Sequence, residues 1–184
     1  MITRTAHAPR WARAMMLLIP ALWMGLIIGI SGIEAPLKFT APGITIPLGL
    51  GIGRRVFFAM NIVEVLLGIA LLVALITLRR NHRFQALPYF AKIQRYSAIA
   101  LAVLVVKTVV IRPLLASHTD AVLGGTSDGG STTHYFYIAA ELILFVVLVM
   151  LVLTAVRGLL APTNSVEPLL TDDGNASSTT PTEH

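Results

Sequence analysis

Three ionisable residues lie inside long apolar stretches of this sequence: Glu64, Lys107 and Glu141. A charged side chain at membrane depth costs about 2.5–3.5 kcal/mol on insertion scales, so it persists where it faces other helices and finds a partner. Two acids and an amine in such stretches can form ion pairs, or they can bind a proton or a cation. They are therefore the first candidates for a functional site.

The distances of these residues from the ends of their stretches predict that they share one level. Glu64 lies nine residues after Arg55, Lys107 lies six residues before Pro113, and Glu141 lies seven residues after the histidine that opens its stretch. At the helical rise these separations are about 13, 9 and 10 Å, all measured from the same side of the membrane. We expect the three side chains to meet in one layer.

Two polar neighbours share helical faces with the acids. Asn61 lies three residues before Glu64, and Tyr137 lies four residues before Glu141, so each is one turn from its carboxylate. The candidate intramembrane polar site therefore comprises Asn61, Glu64, Lys107, Tyr137 and Glu141. Candidate mouth residues on the same side are Arg54, Arg55, Arg112 and His134.

The polar layer has two interpretations, which the sequence leaves open. In the first, it is a buried ion-pair network that fixes how the helices pack. In the second, it is a proton or cation site open to the side that carries the mouth residues. Two acids and one amine leave a formal charge of −1, so either an arginine of the mouth reaches in or one carboxyl group binds a proton.

The composition places these residues in a membrane protein. Of 184 residues, 55% are hydrophobic and 12% are charged, and the mean hydropathy is +0.79. An average soluble domain has about 25% charged residues. The composition therefore disfavours a water-soluble enzyme, a disordered protein and a nucleic-acid-binding domain. The net charge of +5 reflects basic residues that flank apolar stretches.

Four apolar stretches are each long enough to cross a bilayer. Their predicted spans are residues 14–33, 56–78, 96–115 and 135–156, within a membrane domain at 14–158. A backbone in lipid must satisfy its own hydrogen bonds, so we expect an all-α, four-helix transmembrane bundle. The first stretch exceeds the 7–15 apolar residues typical of a signal peptide, and we expect it to be retained.

The basic residues predict an orientation. Nine lie on the side of the N-terminus: Arg4, Arg10, Arg13, Arg79, Arg80, Arg83, Lys92, Arg95 and Arg157. Four lie on the other side: Lys38, Arg54, Arg55 and Arg112. By the positive-inside rule, both termini are expected in the cytoplasm, including the basic segment 1–13, with the protein in the cell membrane.

The remaining segments have distinct compositions. Residues 34–53 contain three prolines and four glycines among apolar residues, so we expect an irregular connection lying against the mouth of the bundle. Residues 159–184 are acidic and rich in Ser and Thr, which predicts a disordered tail. Ala21, Gly25 and Gly29 recur every four residues, a spacing typical of close helix packing in membranes.

Other chemistry has no support in the sequence. The chain has no cysteine, no HExxH motif and no phosphate-binding loop. Only His134 lies near a predicted span, which disfavours a membrane haem. We therefore expect no catalytic residue, no metal and no cofactor, and we expect the protein not to be an enzyme.

Three segments of the chain resemble those of small bacterial four-helix integral membrane proteins. They are IEAPLKF at 33–39, GLGIGRRVF at 49–57 and HYFYIAAE at 134–141. The resemblance covers most of residues 14–158 and implies the same four-span architecture. It transfers no activity and no catalytic residue.

Three functions are compatible with these features. The first is transport or permeation of a small ion or solute through the polar layer, with the lipid bilayer and a homo-oligomer or a larger membrane complex as partners. The second is a non-catalytic accessory or structural protein that binds other membrane proteins. The third is a membrane redox or anchor subunit. Nucleic acid is not an expected partner.

Overall fold

The fold is an all-helical bundle, as predicted. The computed structural model describes residues 10–81, 85, 89–124 and 132–159, and those residues contain no β-strand. Four of the helices are long and apolar enough to cross a membrane. By length and composition, these four helices are compatible with a membrane protein. Residues 160–184 of the tail predicted at 159–184, most of the basic segment 1–13, and residues 125–131 before the fourth span lie outside the described residues.

Span 1 is longer than predicted. It consists of α1 (Arg10–Ile27), a π-helical segment (Ile28–Glu34), α2 (Ala35–Leu37) and a 3-10 turn (Lys38–Thr40). Buried residues recur every three or four positions along α1, as expected of a helix with one face in a bundle. This face comprises Ala12, Met16, Ile19, Trp23 and Ile27.

Span 2 is a single helix, α3 (Ile46–Arg79), of 34 residues. Its length, about 51 Å at the helical rise, exceeds a hydrocarbon core of about 30 Å. Span 3 consists of α4 (Phe90–Val106), a second π-helical segment (Lys107–Ile111) and α5 (Arg112–Leu123). Span 4 is α6 (Thr132–Leu159).

The first connection is mostly helical, so the expectation of an irregular segment at 34–53 was wrong. Only residues 41–45 separate span 1 from α3. Pro47 lies in the first turn of α3, where a missing N–H removes no helical hydrogen bond. The Thr45 side chain caps this turn by accepting a hydrogen bond from the Leu48 N–H. Gly43, at φ +80°, makes the turn that a side chain would strain.

The four spans pack in a closed ring. Span 1 contacts spans 2 and 4, and span 3 also contacts spans 2 and 4. Gly68 allows spans 2 and 3 to approach, because a Cβ atom there would lie 2.6 Å from Leu104 Cδ2. Gly158 similarly faces Tyr89, which places the end of span 4 beside the start of span 3.

The small residues of span 1 do not pack inside this bundle, contrary to the sequence expectation. Ala21 and Gly25 are exposed, and a Cβ atom at Gly25 or Gly29 would meet nothing within 4 Å. The reason is the rotation of α1, which directs Trp23 inwards. Ala21 and Gly25 are each two positions from Trp23, which is a rotation of about 200° around the helix, so they face outwards.

Candidate functional site

Lys107 is the centre of a buried polar cluster that comprises Glu64, Lys107 and Glu141. Its Nζ donates hydrogen bonds to both carboxylate oxygens of Glu64 and to Oε1 of Glu141. The lysine and Glu64 side chains have no exposed surface, and that of Glu141 is 5% exposed. The structure therefore brings the three residues into direct contact in one layer of the bundle, as their spacing predicts.

Three spans supply one residue each to the polar cluster. Glu64 lies on the buried face of α3, and Glu141 lies on α6. Lys107 continues the buried face of span 3 and is the first residue of its π-helical segment. A π-helical turn holds one residue more than an α-helical turn, and such turns are frequent at functional sites.

Two aromatic side chains complete the surroundings of the lysine. Trp23 Nε1 donates a hydrogen bond of 3.1 Å to Glu64 Oε1, which adds span 1 to the site. The centroid of the Tyr137 ring lies 5.3 Å from Lys107 Nζ, within the range of a cation–π interaction. The same ring packs edge-on against Phe57, with 5.4 Å between ring centroids. Thus all four spans contribute a side chain to the site.

A second set of polar contacts, the Arg112 bridge, lies next to the polar cluster. It comprises Asn61, Thr108 and Arg112. Asn61 Nδ2 donates to Thr108 Oγ1 at 2.9 Å, and Arg112 Nη1 donates to Asn61 Oδ1 at 3.2 Å. The Arg112 guanidinium also covers the Phe58 ring at 4.6 Å. Asn61 is one turn from Glu64, and Thr108 is adjacent to Lys107 in the chain, so the bridge ends beside the ion pairs.

The charge of the polar cluster is not balanced by the arginine. Arg112 bonds to the amide oxygen of Asn61. With every group ionised, Glu64, Lys107 and Glu141 sum to −1. Glu141 Oε2 is buried and has no hydrogen-bond partner among the described residues. A buried carboxylate oxygen without a partner is costly, and a bound proton removes the excess charge.

The other predicted mouth residues lie away from this chemistry. Arg54 forms an exposed ion pair with Asp120. Arg55 is exposed and lines a shallow surface depression of about 260 Å³ with Pro47 and Ile52. His134 is exposed at the start of span 4. Of the four mouth residues, only Arg112 joins the polar contacts that reach the site.

Sequence reasoning missed three participants. Trp23 could have been recognised because it shares the stripe of Met16, Ile19 and Ile27 and carries an N–H donor. Thr108 had only its position after Lys107 as a signal. Lys38 was counted only for the orientation of the spans, but its side chain is 9% exposed and lies close to an aromatic neighbour of the site. Its Nζ lies 5.1 Å from the Phe57 ring centroid and pairs with Glu34 at 3.5 Å.

The donor set favours proton chemistry over metal binding. No group of three His, Asp or Glu side chains within the described part of the chain is arranged to hold a metal ion. An ammonium already occupies the space between the two carboxylates. What this arrangement can do chemically is bind a proton on a carboxylate and release it.

Comparisons of the chain with known protein families, curated proteins and solved structures gave no match. The resemblance to small bacterial four-helix membrane proteins therefore remains an expectation from the sequence. The geometry around Lys107 is the basis for any functional conclusion.

Proposed function

We propose that this protein binds and releases a proton at Glu64, Lys107 and Glu141 and that the proton is the small ion that it transports across the cell membrane. One observation supports the proposal above others. A fully buried ammonium is shared by carboxylates of two spans, and one carboxylate oxygen is left without a partner among the described residues. Ionisable groups at membrane depth commonly mark proton relays and ion pathways.

Glu141 is the proton acceptor in this proposal. Both oxygens of Glu64 accept hydrogen bonds from Lys107, and one also accepts from Trp23. Glu141 accepts from the lysine through Oε1, and Oε2, which has no hydrogen-bond partner among the described residues, is the atom that binds the proton. Protonation takes the formal charge of the polar cluster from −1 to 0 and weakens the attraction between spans 3 and 4. The two charge states therefore favour different packing, which is the requirement for a transport cycle.

The setting of the site completes the proposal. Nine basic residues against four favour cytoplasmic termini, by the positive-inside rule. A ring of four helices leaves little room for a private pathway, so we propose a homo-oligomer as the transporting form. No catalytic step is part of the proposed function.

Proton flux in proteoliposomes tests the proposal. Purified protein is reconstituted, a potassium diffusion potential is imposed, and entry of protons is followed with a pH-sensitive dye inside the vesicles. Wild-type protein should conduct protons above empty vesicles, and Glu141→Gln should reduce this flux to the empty-vesicle level. Glu34→Gln is the matched control, because Glu34 pairs with a lysine outside the polar cluster. Equal flux with Glu141→Gln and wild type would contradict the proposal.

A second candidate function is a non-transporting accessory protein that binds a larger membrane complex. The complete burial of the lysine within two ion pairs favours it, because such a network also fixes helix packing. The same experiment separates the two functions. Wild-type flux equal to that of empty vesicles, together with stoichiometric co-purification with another membrane protein, would favour the accessory role.

A further inference from the structure

The polar contacts around Lys107 are distributed unequally between the two ends of the bundle. We call the end with residues 41–45, Arg112 and His134 the Arg112 end. The opposite end, with Arg79 and Arg95, is the Arg95 end. The two ends offer a proton very different routes to Glu141.

Towards the Arg112 end, polar atoms continue from the polar cluster to the surface. Thr108 follows Lys107 in the chain, Asn61 lies one helical turn from Glu64, and a hydrogen bond of 2.9 Å joins Asn61 to Thr108. Arg112, half-buried, donates to Asn61 at 3.2 Å. Tyr137, one turn from Glu141 in the same direction, covers the ammonium. The Arg112 bridge is therefore a chain of polar side chains between the surface and the ion pairs.

Towards the Arg95 end, the described interior is apolar for several helical turns. The first buried polar side chain there on span 3 is Ser97, ten residues before Lys107. On span 4 it is Thr154, thirteen residues after Glu141. These separations are about 15 and 20 Å. The apolar layer between them comprises Leu71, Ala100, Leu104, Leu144, Leu148 and Leu151, each at most 6% exposed.

We infer that the polar cluster exchanges its proton with one face of the membrane only, through the Arg112 bridge, in the conformation described. This inference rests on the proposed function and adds the side of access. A proton leaves a hydronium ion at the Arg112 end, an O–H bond forms at Glu141 Oε2, and water remains. Asn61 and Thr108 are positioning residues that hold the entrance beside the ion pairs.

The charged and titratable groups around Glu141 come from three spans. Lys107 faces it from span 3, Glu64 from span 2, and Tyr137 from its own span. Span 1 contributes Trp23, which is uncharged and bonds to Glu64. Protonation of Glu141 weakens its ion pair with Lys107. The ion pair between Lys107 and Glu64 then changes, and with it the electrostatic surroundings of the Trp23 indole, which is bonded to Glu64.

Trp23 provides an optical readout of this exchange. The chain has two tryptophans, and Trp11→Phe leaves Trp23 as the single emitter. The Trp11→Phe protein carries a C-terminal tag and is reconstituted in sealed vesicles. Because Arg10 and Leu159 lie at the Arg95 end, a resin that binds the tag retains vesicles with that end outwards and passes those with the Arg112 end outwards. The pH outside each pool is then stepped, and Trp23 emission is followed in time.

The two pools should respond at different rates. Vesicles with the Arg112 end outwards should change emission at least about tenfold faster, since charge crosses an apolar layer with difficulty. Thr108→Val, which removes the bridging hydroxyl with little change of shape, should slow the fast pool, as should Asn61→Leu. Ser97→Ala is the matched control at the other end and should change neither rate.

Each outcome separates the inference from the proposed function. Equal rates in the two pools, or a faster response from the Arg95 end, would overturn the one-sided route while leaving proton binding intact. A response that Thr108→Val and Asn61→Leu leave unchanged would remove the Arg112 bridge as the entrance. Emission independent of pH in both pools would overturn proton binding, and the inference with it.

Discussion

The indole N–H of Trp23 is bonded to Glu64 Oε1 at 3.1 Å, although the two residues are 41 positions apart. This contact ties span 1 to the ion pairs of the other spans. It lies on the buried face of α1, which turns a tryptophan inwards and leaves Gly25 facing outwards. The orientation of the first helix is thus set by its buried face and joined to the site by one hydrogen bond to a buried charge.

Trp23→Phe should lower the stability of the bundle. A hydrogen bond to a charged group contributes about 1.5–3 kcal/mol, and the variant loses the donor while keeping an aromatic ring. Thermal unfolding in detergent, followed by circular dichroism, measures the effect. Trp11→Phe is the control, because Trp11 is 50% exposed, and it should unfold like wild type. Identical melting of the two variants would contradict the contact.

Lys107→Met should be strongly destabilising, because it leaves two buried carboxylates without their counter-charge. Removing one partner of a buried ion pair costs about 3–5 kcal/mol. The triple variant Lys107→Met, Glu64→Gln, Glu141→Gln removes all three charges and should recover most of this loss. Lys92→Met, on the exposed face of the same span, should have little effect. The readout is again thermal unfolding, and a triple variant as unstable as the single one would refute the charge argument.

Gly68→Val should separate spans 2 and 3. Its first side-chain carbon would lie 2.6 Å from Leu104 Cδ2, so a leucine and part of the helix interface must move. Overpacking of this kind costs about 1–3 kcal/mol. Gly25→Val is the matched control, since a Cβ there meets nothing within 4 Å. Comparison of the two unfolding temperatures checks the prediction, which fails if Gly25→Val is the less stable variant.

Arg54→Ala should leave stability nearly unchanged. The Arg54 and Asp120 side chains are 48% and 56% exposed, and exposed ion pairs contribute about 0–1 kcal/mol. The small effect should shrink further in 1 M salt, because salt screens exposed charges. A large loss of stability that persists at high salt would show that this pair holds span 3 in place.

Much of the site could be predicted from the sequence because a charged residue in an apolar helix must face other helices and find a partner there. Counting residues from the span ends placed Glu64, Lys107 and Glu141 at one level, and the structure joins them. Helical spacing similarly placed Asn61 and Tyr137 on the correct faces. These predictions needed only the helical rise and the cost of charge in lipid.

The features that the sequence did not predict depend on how the helices are rotated about their axes and on where they begin. Gly25 faces outwards because the stripe that contains Trp23 faces the bundle, and the partner of Trp23, Glu64, lies 41 positions away, where no spacing within span 1 reveals it. The helical structure of residues 46–53 is compatible with Pro47 because this proline occupies a first turn, where it is tolerated. The pairing of Arg54 with Asp120 joins residues of two helices that are 66 positions apart. Such contacts are set by tertiary structure rather than by local pattern.

The order of the buried charges along the chain also has a consequence for biogenesis. Synthesis delivers Glu64 first, Lys107 second and Glu141 last. The lysine therefore has an acid to neutralise it before the fourth helix exists, so the third helix can leave the insertion machinery as half of a neutral pair. Span 4 is synthesised last, and its Glu141 then pairs with the Lys107 ammonium, which is already in place. The packing of span 4 against spans 1 and 3 completes the ring of four helices.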